Sequence, residues 1–163
     1  MDGQETILVD STSAPTYAWR LRYNSTLTKW EFVGGRPAFA EVVTSETTAS
    51  TTYAALATAG PSIVLPVAGA YMVEIGGFLQ DADGAVSVAC SMSYDIGGTG
   101  AVDADRIHGE WAGFAGSLTI GSNHSRARVK TGLTAVTLTA KYKVSAGTGT
   151  FAERWMSVTP VTL

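Results

Sequence analysis

The stretch Val136-Thr137-Leu138-Thr139-Ala140-Lys141-Tyr142-Lys143-Val144 decides the fold class. Successive side chains of an extended chain point to opposite faces. Val136, Leu138, Ala140, Tyr142 and Val144 therefore share one face, while Thr137, Thr139, Lys141 and Lys143 share the other. This is the pattern of an antiparallel strand with one face on a core and the other in water. The same reading places a last strand at residues 151–161 and earlier ones at 6–10, 39–43, 63–65, 71–79, 85–94, 106–114 and 118–129. Residues 44–52 are polar and hydroxyl-rich, and 53–59 read as one turn of helix or an irregular edge strand. Turn punctuation falls at Gly76-Gly77, Asp83-Gly84, Gly97-Gly98, Gly121 and 147–149. Roughly eight strands after residue 37, with no helix-period segment between them, predict an all-β, antiparallel jelly-roll β-sandwich over residues 37–163.

Residues 17–35 stand in front of that sandwich as an aromatic hairpin. Tyr17, Trp19, Leu21 and Tyr23 alternate with Ala18, Arg20 and Arg22; Asn24-Ser25-Thr26 turns the chain; Trp30 and Phe32 supply a second apolar face. A few short strands are not stable alone in water. Residues 1–36 are therefore predicted to form a small docking motif whose Trp19, Tyr23, Trp30 and Phe32 need a neighbour, either the following domain or a partner subunit.

Composition narrows the function classes. Only 15% of the 163 residues are charged, against roughly 25% in ordinary soluble chains. This implies that other subunits cover part of the surface. A net charge of −3 argues against a general nucleic-acid-binding role, which needs a basic footprint. Cys90 is the sole cysteine; its apolar run, 86–92, predicts a buried thiol and excludes an intrachain disulfide. The acidic N-terminus has no signal-peptide pattern, and no apolar run is long enough to insert in a membrane.

Several motifs invite chemistry. His124, Arg126, Arg128 and Lys130 alternate into a basic ladder, spaced about 7 Å apart on one strand face. Such a ladder binds an anionic glycan, pairs with carboxylates such as Asp103, Asp105 and Glu110 of a neighbouring subunit, or serves as a solvated edge that discourages aggregation. Asp81-Ala82-Asp83-Gly84 is a fragment of a calcium loop without its later acidic ligand, and an ordinary turn is the preferred reading. Glu110 beside Trp111 and Phe114 resembles a sugar platform with a carboxylate, but no second carboxylate can be assigned by spacing. His108 and His124 have no nucleophile motif near them. The expectation is a protein without a catalytic centre, metal or cofactor.

The segment Trp19-Arg20-Leu21-Arg22-Tyr23-Asn24, followed by Lys29-Trp30-Glu31-Phe32-Val33-Gly34-Gly35 and preceded by Asp2-Gly3-Gln4-Glu5, resembles one found in structural proteins of tailed bacteriophages. In those minor tail and fibre-type proteins it precedes a C-terminal β-domain and follows upstream sequence. The resemblance therefore implies a short member of that class or a fragment of a longer chain. Tyr53, Gly60-Pro61, the 66–69 turn with Tyr71, and Arg154-Trp155 through Pro160-Val161 extend the likeness in outline. The strand order further resembles the jelly roll of the tumour-necrosis-factor and complement-C1q class, which implies a homotrimer with Tyr142, Phe151 and Trp155 at the subunit contact.

The expected role is thus a component of the virion, in a tail fibre, tail tip or head fibre, assembling with itself and other virion proteins and adhering to the host surface. Two alternatives stand beside it: a capsid decoration protein, or a module recognising a host cell-surface glycan through Trp111 and Phe114 or through the basic stripe at Arg126 and Arg128. A polysaccharide depolymerase is the least favoured reading.

Overall fold

The computed structural model describes residues 2–82, 88–110 and 120–163. Twelve strands are present among the described residues: β1 (Glu5–Val9), β2 (Ala18–Asn24), β3 (Lys29–Arg36), β4 (Ala38–Val42), β5 (Glu46–Thr48), β6 (Ser62–Val64), β7 (Gly69–Asp81), β8 (Ala89–Ile96), β9 (Ile107–Glu110), β10 (Gly121–Leu133), β11 (Thr137–Val144) and β12 (Gly149–Thr162). They form two antiparallel sheets. One has eight strands in the order β1-β2-β3-β12-β7-β10, with β4 and β5 also paired to β12; the other runs β6-β11-β8-β9. The architecture is the all-β, jelly-roll-like sandwich that the alternating sequence predicts.

The core lies between the sheets. Tyr71, Val73, Ile75 and Leu79 of β7, with Phe151, Met156 and Val158 of β12, face Cys90, Met92 and Tyr94 of β8 and Leu138, Ala140, Tyr142 and Val144 of β11. The β11 alternation therefore reads as expected: Leu138, Ala140, Tyr142 and Val144 are buried. Strand β8 is buried on both faces. Its Ser91 and Ser93 hydroxyls bond the His108 ring (2.9 Å) and the Val102 carbonyl (2.8 Å), so the segment before β9 covers that side. Residues 53–59 form no helix; Ala54 instead makes an isolated bridge to Tyr142.

The hairpin β2–β3 extends the large sheet. β3 is joined to the C-terminus by reciprocal backbone bonds between Trp30 and Leu163, at 3.0 and 2.8 Å. Trp19 is fully buried, stacked on Tyr17 with ring centroids 4.2 Å apart and tilted against Tyr71 at 5.9 Å. The neighbour that the aromatic face requires is thus supplied for Trp19 by the chain's own β7. Trp30 and Phe32 pack against the same core, and Tyr23 meets Trp30 edge-on at 5.4 Å.

Gly76-Gly77, expected to mark a turn, lies in the middle of β7. The reason is lateral. A Cβ at Gly76 would collide with the indole of Trp155 on β12, so the glycine makes room for that ring within the sheet.

Candidate functional site

The outward face of the large sheet carries the most distinctive surface. Cross-strand register aligns Ser125, Gly76, Trp155 and Glu41 in one row across β10, β7, β12 and β4. The neighbouring row is Ala127, Glu74, Ser157 and Phe39, and the next holds Val129, Met72 and Thr159. An antiparallel sheet facing water ordinarily presents polar residues there. Here Phe39 is 54% exposed, Val129 56%, Val43 66% and Met72 40%.

A β-bulge shapes one end of this face. The register between β12 and β7 shifts between Ala152 and Trp155, and Glu153 takes a left-handed φ of 48°. The extra residue turns Arg154 inward and leaves Glu153 exposed. Arg154 is fully buried; its Nη2 donates to Glu46 Oε2 at 2.7 Å and to the Thr44 carbonyl at 3.1 Å, and its guanidinium lies 5.2 Å from the centre of the Tyr142 ring. Beside the bulge, Glu41, Val43, Gly77, Asn123, His124, Ser125, Glu153 and Trp155 line an open cleft of about 600 Å³. Phe39 stacks beside Trp155 at 6.3 Å with 25° between the planes.

The residues expected at a trimer contact separate into two groups. Tyr142 and Phe151 are fully buried and meet each other edge-on at 5.1 Å inside the sandwich; the Tyr142 hydroxyl donates to the Gly60 carbonyl at 2.6 Å. Their side chains are covered by their own chain and offer no surface to another. They bury for the same reason they looked apolar, because both sit on the core face of their strands. Trp155 alone of the three reaches the surface, on the opposite face of β12.

The basic ladder keeps its alternation; Arg126 and Lys130 point inward, Arg128 is exposed, and His124 is among the residues lining the cleft. His124, Arg126, Arg128 and Lys130 occupy the β10 positions opposite the core-facing residues of β7. Lys130 Nζ is 2.6 Å from Asp105, itself only 3% exposed, and lies 6.0 Å from the Tyr94 ring centre. Arg126 donates to the Arg106 carbonyl at 3.0 Å, and His124 Nε2 is 2.7 Å from the Ser122 hydroxyl. Two of the carboxylates anticipated as partners across subunits are engaged within the chain, Asp105 by Lys130 and Asp103 by Lys143 (2.7 Å) and Arg106 (3.3 Å); Glu110 stays largely exposed, 3.8 Å from His108 Nε2, whose pKa burial lowers. Trp111, Phe114, Asp83 and Gly84 lie outside the described residues. Among the described residues, no group of three or more His, Cys, Asp or Glu is placed to hold a metal.

Asp103 is the most perturbed carboxyl. Bonds from the Lys143 ammonium and the Tyr53 hydroxyl (2.8 Å) hold its pKa down at about 2. Tyr53 is pushed well above its ordinary value, chiefly by burial, and Lys143 lies 4.6 Å from its ring centre. The Cys90 thiol, buried and donating to the Gln80 carbonyl at 3.3 Å, is pushed up to about 12 by burial. The buried thiol that its apolar run predicted is observed.

Glu41, Glu153, Asn123, Ser125 and Phe39 were not singled out by sequence reasoning. Only register brings them together, because they come from three strands, β4, β10 and β12, that are distant in sequence. The one available signal was Gly76-Gly77 within a run of strand-forming residues, a mark of close approach by another group.

No protein-family model matches the chain, and no curated protein matches it. Several solved structures share its outline, among them three at 11–13% identity. One is of the infectious bursal disease virus Gx strain (12% identity, TM-score 0.42), covering 82% of this chain and 34% of that one. A second is the VP2 subviral particle of infectious bursal disease virus (13% identity, TM-score 0.42), covering 94% and 40%. The third is dimeric latent PorU from Porphyromonas gingivalis (11% identity, TM-score 0.43), covering 100% and 20%. The chain spans two fifths or less of the length of each, and similarities of this size carry no functional argument.

Proposed function

We propose that this chain is a non-catalytic building block of a bacteriophage particle, a component of a tail fibre, tail tip or head fibre that assembles as a homotrimer. The particle assignment rests on the sequence resemblance of residues 2–5 and 19–35 to tailed-phage structural proteins. The observation that carries the assembly role is the outward apolar pair of Met72 and its direct cross-strand partner Val129, each at least 40% exposed. Contiguous exposed apolar surface on a sheet is covered in use by another protein surface. Each Å² of it removed from water contributes about 25 cal/mol of transfer free energy, offset by the freedom lost on association. Three copies then present any weak surface contact multivalently, which raises avidity without new chemistry.

Antibody raised against the chain is expected to decorate an appendage of purified particles in negative-stain images. Label confined to unassembled protein, with particles bare, would overturn the assignment.

A further inference from the structure

We propose that the cleft beside Trp155 binds a neutral saccharide. The Trp155 indole lies across Gly76, where the missing side chain lets the ring settle over the neighbouring strand, and Phe39 stacks alongside it. A pyranose ring has an apolar C–H face that packs on such an aromatic surface while its rim of hydroxyls stays available for hydrogen bonds. Around the indole stand acceptors and mixed donor–acceptors suited to hydroxyls. Glu41 is the direct cross-strand partner of Trp155, Ser125 lies in the same row beyond Gly76, and Asn123 and Glu153 complete the rim. Carboxylates accept from sugar hydroxyls, and Asn and Ser both donate and accept. The cleft, about 600 Å³, falls in the range of small-ligand sites.

Charge sets the class of sugar. The outward positions of β4, β7, β10 and the paired part of β12 carry Glu41 and Glu74, the bulge adds Glu153, and no Lys or Arg occupies that face. Arg126, Arg128 and Lys130 of the β10 ladder lie opposite the core-facing residues of β7, and His124 is the one ladder residue among those lining the cleft. A uronate or sialylated glycan would meet the carboxylates of Glu41 and Glu153 with no Lys or Arg among the lining residues, so the cleft selects against acidic sugars. This inference is independent of the assembly role: Met72 is four residues from Gly76 along β7, about 13 Å away.

Isothermal titration of the full chain with maltohexaose, cellohexaose, chitohexaose and, as the acidic counterpart, hexagalacturonate tests the proposal. At least one neutral oligosaccharide is expected to bind, and hexagalacturonate is not. Trp155→Ala should weaken binding by roughly tenfold or more, Glu41→Gln by several-fold, and Met72→Ser not at all. Trp155→Phe, which keeps a ring, should retain part of the affinity and serves if the alanine variant does not fold by circular dichroism. Absence of binding to all three neutral sugars by the folded chain would overturn the proposal. So would affinity unchanged by Trp155→Ala and Glu41→Gln, or equal binding of hexagalacturonate.

Discussion

Asp103 joins three parts of the chain through its carboxyl group. It accepts from Tyr53 and from Lys143 on β11, and it sits at the start of the 3-10 turn Asp103–Asp105 that packs over β8. Its pKa is depressed from the ordinary 3.8 to about 2, so the folded state binds its proton less readily than the unfolded chain. The resulting stabilisation is fully present above about pH 4 and is lost as pH falls through about 2. Urea unfolding between those limits should show wild-type stability falling more steeply than that of Asp103→Asn, while both variants run parallel above pH 5. Cys90 provides a second test at this scale. Burial keeps its thiol protonated up to about pH 12, so the native chain should resist iodoacetamide at pH 8 and react only on unfolding, as read by mass spectrometry.

Among the elements, β12 organises the molecule. It pairs with β3, β4, β5 and β7, and its bulge turns Arg154 inward to Glu46 while Trp155 faces out. Glu46 also accepts from the Thr58 backbone at 2.8 Å, so one ion pair fastens β5 and the following segment to the sheet. Glu46→Ala leaves a buried guanidinium without its charge partner and should cost about 3–5 kcal/mol in chemical denaturation. In the hairpin, Trp19→Ala removes a fully buried ring and should cost about 3–5 kcal/mol, measured the same way.

Strands with one wet face were legible because burial and sequence share a period of two; β11 is the clearest case. β8 was harder, since Ser91 and Ser93 are buried by a covering segment and polarity no longer tracks exposure. The inward direction of Arg126 and Lys130 was illegible for a related reason. Alternation puts them on one face, but only the packing of β10 against the segment carrying Asp105 and Arg106 decides which face that is. The Arg154–Glu46 pair spans 108 positions, and the row from Ser125 to Glu41 crosses four strands, so neither leaves a local trace.

At the scale of the whole molecule, the two faces of the large sheet divide the work. The inner face packs Phe151 against Tyr142 of the smaller sheet and so supplies half of the core, and the outer face carries exposed apolar residues at Met72 and Val129 and a cleft at Trp155. The proposed homotrimer would therefore use outward surface, since Tyr142 and Phe151 are buried within their own chain. The low charged fraction of the chain fits a molecule with part of its surface covered in an assembly. The most direct measurement is the mass of the full chain by sedimentation equilibrium at about micromolar concentration, for wild type and for the Met72→Ser/Val129→Ser double variant. The account predicts a species of three chains, each 17.0 kDa, that dissociates in the double variant while its circular dichroism stays native. A wild-type chain that sediments as a monomer would contradict it.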